Sequence, residues 1–315
     1  MRNSVSIIIV NYNGVELLRE CIPTVIESAV FNGAEYEVIV IDNASSDGSP
    51  DFLKRHYPDV ITLSMKTNEF WFSVNSGIGR SSYDKLLLLN NDVKLDKGCV
   101  RGLAELLERD DRTFAVVPRE MNWDGTADTS GAQWIEEVNE NLSQSRVSYY
   151  PAEEHITCNA GNAMYAKDKI MKLGLFDPLF KPFYYEDFDL SYRAWKAGFR
   201  ILYEPGAVIY HKGAASVNKY ATVDTQVQYL FKNGLLFVWK NITDRRILIR
   251  HFFMLFLKLV KVLCLFRTRR PMLTGFFLAT RSVKELRAAR SMAMKTAALK
   301  DSDVLEALSA KNFHD

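Results

Sequence analysis

Val5-Ser6-Ile7-Ile8-Ile9-Val10, followed at once by Asn11-Tyr12-Asn13-Gly14, is the stretch on which the fold turns. The six-residue run is apolar and rich in β-branched side chains, the composition of a strand buried on both faces of a parallel sheet. It stops in turn chemistry, and Val15 to Ser28 then carries helical periodicity. Glu37-Val38-Ile39-Val40-Ile41 repeats the pattern and stops at Asp42-Asn43, and Lys85-Leu86-Leu87-Leu88-Leu89 repeats it again before Asn90-Asn91-Asp92. Ser45-Ser46-Asp47-Gly48-Ser49 supplies turn and cap residues for a helix over Pro50 to His56, and Val60 to Ser64 reads as a further strand. Strands alternating with helices predict an α/β fold with a doubly wound, mostly parallel sheet.

Ligands of such a sheet gather in the crevice at the carboxyl ends of its strands. Asn11, Asp42 and Asp92 all fall on that edge. Asp and Asn are also ordinary turn residues, so position alone leaves ligand contact and turn chemistry evenly balanced. The turn after the first strand has neither GxGxxG nor GxxxxGK[ST], which counts against a dinucleotide dehydrogenase and a P-loop NTPase. A bound pyrophosphate would then be neutralised most simply by Mg2+ or Mn2+ on Asp92, since these hard cations use one or two carboxylates plus substrate phosphates.

Phe183-Tyr184-Tyr185-Glu186-Asp187-Phe188-Asp189 places three carboxylates among four aromatic rings. Like charges this close repel, and aromatic walls make their desolvation expensive, so a carboxyl here can be tuned to accept a proton. The same acids also suit the first turn of a helix continuing through Leu190 to Trp195, and both roles can coexist. Within that helix Arg193 lies four residues after Asp189, the spacing of a helix-surface ion pair, and Trp195 reads as core.

The bulk numbers describe a globular protein: 315 residues, 48% hydrophobic and 25% charged. Cys21, Cys99, Cys158 and Cys264 are widely spaced, with no CxxC pair, which argues against a disulfide framework or zinc site and fits a reducing compartment. Val5 to Val10 is too short for the core of a signal peptide, so a cytoplasmic location is expected.

A net charge of +2 conceals an asymmetry: Asp244 to Lys300 holds 14 Lys and Arg against two acids, leaving the remainder at −10. From Thr222 onward the pattern is helical, and Ile247 to Phe266 is densely apolar but interrupted by Lys258 and Lys261. The uninterrupted run is too short to span a bilayer. On a helical wheel Arg246, Arg250, Lys258 and Lys261 are expected on one face, beside Phe252-Phe253-Met254-Leu255-Phe256-Leu257. That is the pattern of a helix lying on an anionic membrane surface, here the inner face of the cell membrane. Packing of the helix on the rest of the chain, or in a homodimer, is the alternative. The Phe and Leu density argues against nucleic acid.

Several motifs, in order, resemble family 2 glycosyltransferases with the GT-A fold, in particular the rhamnosyltransferase-like subgroup. They are Ser6 to Asn13, Val40 to Gly48, Leu88 to Asp92, Gly161 to Met164, Gly174-Leu175-Phe176-Asp177, Tyr185 to Arg193, Ala197-Gly198-Phe199-Arg200 and Tyr210-His211-Lys212-Gly213. The resemblance covers roughly two thirds of the chain and lies in motif order and spacing. It implies a GT-A-like catalytic domain over residues 1–220, with a nucleotide-sugar half to about 118 and an acceptor half from about 119. Residues 221–315 are then a basic, amphipathic helical tail.

The resemblance also implies roles. Val10, Asn11, Tyr12, Asp42, Asn43 and Asn91 would form the nucleotide pocket, with Asp42 on the base. Asp92, at the end of a DxD-like motif whose first position is Asn90, would hold Mg2+ or Mn2+, with His211 as a second contact. Asp187 would be the catalytic base, with Glu186 beside it, and Trp71, Asn75, Gly161, Asn162 and Asp189 would meet the sugar or acceptor. Asn159 belongs to the same polar stretch as Gly161 and Asn162, which an ordinary turn explains nearly as well. Where related chains carry small residues, this one has Phe70-Trp71-Phe72: Trp71 could stack on a sugar face, while Phe70 and Phe72 are expected to pack. The reaction implied is inverting transfer of a sugar from a nucleotide sugar to a hydroxyl of a polysaccharide or lipid-linked glycan. A non-catalytic nucleotide-sugar-binding module and a membrane-recruited scaffold are the rival readings.

Overall fold

The computed structural model describes residues 3–127, 133–138, 141–146, 155–156, 161–213, 221–264 and 266–308. Its strands are β1 (Val5–Asn11), β2 (Tyr36–Asp42), β3 (Ile61–Ser64), β4 (Lys85–Asn90), β5 (Val93–Leu95), β6 (Thr113–Asn122), β7 (Gln133–Val138), β8 (Asn141–Arg146), β9 (His155–Ile156), β10 (Ala163–Ala166) and β11 (Arg200–His211). The main sheet runs β3-β2-β1-β4-β10-β6-β11-β5, with β9 also paired to β11, while β7 and β8 form a separate hairpin. The expected parallel core is present: β3, β2, β1 and β4 are all parallel. Beyond it the sheet is mixed, since β10 is antiparallel to both β4 and β6, and β5 is antiparallel to β11.

Strand order reverses between β1 and β4, because the chain winds outward through β2 and β3 and then returns to the other side of β1. Such a reversal opens a crevice at the carboxyl ends of the two strands. Register aligns those ends, with Asn11 opposite Asp42 and Val10 opposite Asn90.

The first strand is predominantly apolar because both its faces are covered. Val5, Ile7 and Ile9 enter one core with α1 (Val15–Asn32), α2 (Ser49–His56) and α4 (Cys99–Glu108). Ile8 enters the other, with α3 (Val74–Arg80) and α6 (Glu186–Lys196). The approach of α3 is close: a Cβ on Gly77 would lie 2.6 Å from Ile8 Cγ2 and 2.8 Å from Ile41 Cδ1, so only glycine fits without movement. A short α5 (Lys167–Lys172) follows β10.

The C-terminal helices are α7 (Val223–Asn241), α8 (Arg245–Cys264), α9 (Phe266–Arg281), α10 (Val283–Thr296) and α11 (Asp301–Ala307). The boundary expected at residue 220 does not separate two cores. Phe231, Leu235, Phe237, Ile242, Leu255, Leu286 and Val304 share one apolar cluster with Phe188, Tyr192 and Leu88. Phe188 stacks on Phe237 with ring centroids 4.7 Å apart.

Polar struts reinforce that junction. Asp301 Oδ1 accepts from Tyr192 Oη (2.7 Å) and Lys196 Nζ (2.9 Å), while Oδ2 accepts the backbone N–H groups of Thr243 (2.7 Å) and Asp244 (2.8 Å). One carboxylate from α11 thus ties α6 to the entrance of α8.

The basic face expected on α8 needs one correction. Arg246, Arg250 and Lys261 are exposed, but Lys258 turns inward, with Nζ 5.2 Å from the centroid of the Phe231 ring. Among the described residues no helix is long and apolar enough to cross a membrane.

Candidate active site

At the reversal of strand order four side chains form one hydrogen-bonded chain. Asn91 Nδ2 donates to Asn11 Oδ1 (2.7 Å), and Asn11 Nδ2 donates to Asp42 Oδ1 (3.0 Å) and Ser45 Oγ (3.2 Å). Asp42 Oδ2 in turn accepts the backbone N–H of Ser45 (3.0 Å). Asn11, Asp42 and Asn91 are all buried, so polar side chains at strand ends remain satisfied out of water. Gly14 makes room for this network: a Cβ there would lie 2.1 Å from Asn91 Nδ2. Asp47 Oδ2 accepts the N–H of Val15 (2.8 Å), so the second turn caps the helix after the first.

The residues assigned to the nucleotide therefore divide into frame and surface. Asn11, Asp42 and Asn91 hold one another, and Asn43 braces the next loop by bonding Phe70 O (3.0 Å) and Glu69 N (3.3 Å). Val10 and Tyr12 are half-buried at the rim.

Asp92 and His211 meet across the sheet. His211 ends β11 opposite Val93, which puts its Nε2 3.2 Å from Asp92 Oδ1 and its Nδ1 3.2 Å from Glu120 Oε1. Burial pushes the imidazole pKa down, but hydrogen bonds and charge from Asp92 and Glu120 outweigh it and raise the pKa to about 10. Glu120 gave no signal in the sequence, since only strand pairing brings it to His211. Among the described residues no group of three or more His, Cys, Asp or Glu is arranged to hold a metal. Once a cation displaces the proton that His211 holds, a pair of donors about 3 Å apart does fit neighbouring ligand positions on one ion whose bonds are about 2.1 Å, with further positions left for phosphate oxygens and water.

The acidic run forms the opposite wall. Tyr184 and Tyr185 both have φ +73°, the left-handed region that aromatic side chains rarely adopt, immediately before the first residue of α6. Asn233 on α7 holds this turn, its Nδ2 lying 2.7, 2.8 and 2.9 Å from the carbonyls of Phe180, Phe183 and Tyr184. Glu186 Oε2 is buried with no hydrogen-bond partner among the described residues. Burial, then the neighbouring charge of Asp187, raises the Glu186 pKa to about 8. Asp187 is half-buried, and a Cβ on Gly161 would lie 3.9 Å from its Oδ2.

Gly161 and Asn162 join the two walls. Asn162 Oδ1 accepts the backbone N–H of Asn90 at 2.9 Å, next to Asn91-Asp92, while Gly161 faces Asp187. Asn159 and Cys158 lie outside the described residues.

Three residues assigned to the sugar or acceptor do something else. Asp189 and Arg193 are 0% and 5% exposed, so their pairing is buried and not on the helix surface. Arg193 Nε (2.9 Å) and Lys240 Nζ (2.8 Å) donate to Asp189 Oδ2, and Asn241 Nδ2 (2.8 Å) donates to Oδ1, leaving a strut between α6 and α7 and no free carboxylate for a ligand. Asn75 clamps the backbone of Phe176, donating to its carbonyl (2.8 Å) and accepting its N–H (3.2 Å). Trp71, half-buried, packs perpendicular to the Phe176 ring with centroids 5.8 Å apart, so it supports the same segment. Phe72 is buried, and Phe70 sits edge-on to Phe183, as expected of packing residues.

Residues 6–174 match the model of the glycosyl transferase family 2. The chain is 24% identical over 210 residues to an N-acetylglucosaminyl-diphospho-decaprenol L-rhamnosyltransferase of Mycobacterium tuberculosis, covering 58% of this chain and 68% of that one. It is 22% identical over 246 residues to Escherichia coli chondroitin synthase, covering 67% of this chain but only 35% of that much longer protein. Among solved structures, GalNAc-T7 with UDP, GalNAc and Mn2+ superposes with a TM-score of 0.59 at 18% identity, over 77% of this chain and 48% of that one. S. aureus TarS 1-349 with UDP gives 0.53 at 14% identity, over 77% and 68%. These structures share the GT-A arrangement of a curled, mostly parallel sheet clad in helices. With sheet order, crevice and motif placement in agreement with that match over more than half its length, the chain belongs to glycosyl transferase family 2.

Proposed function

We propose that this glycosyltransferase moves a sugar from a nucleoside diphosphate donor to an acceptor hydroxyl with inversion at the anomeric carbon. The observation that carries the reading is the bridge of Gly161 and Asn162 between Asp187 and Asn90-Asn91-Asp92 at the switch in strand order. Similarity to a rhamnosyltransferase and to UDP-bound structures supports dTDP-rhamnose or a UDP-sugar as donor. The diphospho-decaprenol in that relative's name supports a lipid-linked glycan or a growing cell-surface polysaccharide as acceptor.

In this reading the Asn11–Asp42 frame and Tyr12 receive the nucleoside, and the half-buried Asp187 takes the proton of the attacking hydroxyl. Glu186, with its raised pKa, stays protonated at neutrality and does not compete for that role. The aromatic turn at 183–185 keeps water from the reacting centre. Asp92 and His211 are the residues that would hold Mg2+ or Mn2+, whose charge would stabilise the departing diphosphate.

A thermal-shift screen of dTDP- and UDP-sugars with and without Mn2+ tests this directly, because a ligand of the folded state raises the melting temperature. The expected result is a shift by at least one donor that grows with Mn2+ and loses its Mn2+ dependence in Asp92→Asn. No shift with any nucleotide sugar would overturn the reading.

A further inference from the structure

We infer that the outer face of α8 is a docking surface for an anionic lipid bilayer. Ile249, Phe253 and Phe256 are 72%, 59% and 63% exposed, and Phe252, Leu257 and Val260 join them in the open. The spacing of 249, 253, 256 and 260 makes one continuous ridge along the helix. His251, Leu255 and Val262 face inward, so this ridge is what remains after α8 has packed on the protein. A run of large apolar side chains facing water along about three turns is the signature of a surface awaiting a partner.

The cations decide which partner. Arg245, Arg246 and Arg250 are exposed at one end of the helix and Lys261 near the other. The segment Asp244–Lys300 holds 14 basic residues against two acidic ones. A second copy of the chain would bring the same positive charge to the interface, which disfavours self-association. Nucleic acid would meet the cations but leave the Ile and Phe ridge without a partner. A bilayer with anionic headgroups satisfies both, with apolar side chains in the acyl boundary and cations at the headgroups.

The ridge also has a direction. Trp239 stacks on Phe252 with centroids 6.2 Å apart, and Lys258 lies over Phe231, so α8 runs antiparallel along α7. The far end of α7 carries Gln226, which accepts from Tyr184 Oη (3.0 Å), and Tyr229, edge-on to Phe183 at 5.5 Å. The C-terminal end of α8 therefore points toward the turn that precedes Glu186 and Asp187. Docked this way, the site would take an acceptor anchored in the same bilayer, a consequence that rests on the transferase reading above.

Co-sedimentation of the full chain with phosphatidylcholine vesicles, with and without phosphatidylglycerol, tests the surface. Binding is expected to require the anionic lipid and to weaken with salt. Arg246→Ala/Arg250→Ala should weaken it about 30-fold, since each basic residue near an anionic surface contributes about a fivefold factor. Phe253→Glu/Phe256→Glu should abolish it; both side chains are exposed, and an unchanged melting temperature will verify folding. Equal binding to neutral vesicles, or unchanged binding by both variants, overturns the proposal. Concentration-dependent dimerisation that Phe253→Glu/Phe256→Glu breaks, without vesicle binding, overturns it in favour of a second copy. A salt-sensitive complex with RNA in place of vesicles overturns it likewise. Donor-induced thermal shift in the same preparations separates the outcomes, since its retention without vesicle binding sinks only the docking surface.

Discussion

Asn162 Oδ1 accepts the backbone N–H of Asn90, while the preceding residue, Gly161, faces the carboxylate of Asp187. Two motifs far apart in sequence are thereby held on one crevice, where β10 delivers the second by pairing antiparallel with β4. The proposed base and the proposed phosphate-binding end depend on the same two-residue link.

Asp187→Asn removes the proton acceptor and preserves shape. Transfer is expected to fall by roughly 10²–10⁴-fold, the usual contribution of a general base. Donor binding, measured by thermal shift, is expected to remain. Turnover near wild type would remove Asp187 from the mechanism.

Glu186 should write a pH dependence into stability. Its folded pKa is about 8, against about 4.3 for a free glutamate. Between those values the unfolded chain loses the proton while the folded chain keeps it, so raising the pH favours unfolding and the penalty stops growing above about 8. Glu186→Gln removes that penalty. Its melting temperature should exceed wild type at neutral pH, with a gap that widens toward pH 8 and is absent near pH 4. A gap independent of pH would contradict the burial described here.

Asp189→Ala leaves Arg193 buried without its counter-charge and Lys240 with Asp177 alone, whose Oδ2 accepts from its Nζ at 2.7 Å. A loss of about 3–5 kcal/mol in urea unfolding is expected, as for other buried pairs broken on one side. Burial alone would raise the pKa of Asp189 and of Asp301, yet Lys240 and Arg193 at the first, and Lys196 and Tyr192 at the second, hold both below the usual carboxylate range. Their stabilisation is therefore full above about pH 4 and is lost as pH falls through the depressed values. Asp301→Asn should flatten the acid limb of the stability profile.

Asn233 is a positioning residue. Replacing it with Ala releases the carbonyls of Phe180, Phe183 and Tyr184 and lets the turn before Glu186 relax. The expected cost is about 1–3 kcal/mol of stability. A kcat at least tenfold lower at unchanged donor affinity would mark positioning, since a merely structural loss would leave kcat intact in the folded fraction.

The parallel half of the sheet was legible because β1, β2 and β4 are predominantly apolar runs ending in Asn or Asp, a pattern fixed by burial on both faces. The antiparallel half was not. Ala163–Ala166 is four residues long, too short to show a period. Asn11, Asp42 and Asp92 could be placed on one edge because strand ends can be located from the sequence, and Asp187 was singled out because acids among aromatics are costly. Asp189 carried the same signal and proved structural, because its partner Lys240 lies 51 residues away. A hint existed: Lys240 closes the apolar run Leu235-Leu236-Phe237-Val238-Trp239, and a cation in such a run has to be paired inside. Asn75 and Trp71 serve Phe176, a contact about 100 residues distant that no local pattern announces.

Helix α6 presents Glu186 and Asp187 from its first turn, while in the turns behind Asp189 is fastened to α7, Lys196 to α11 and Arg193 to the carbonyls of Leu173 and Leu175. A fragment trimmed to the span matched by the family model would keep the crevice floor yet lack α6 altogether, and one cut near residue 220 would leave Asp189 without Lys240, Lys196 without Asp301 and a wet groove along the back of the helix. Neither piece has the makings of a minimal enzyme. The tolerance of the turn before α6 to truncation is set by the opposite end of the polypeptide.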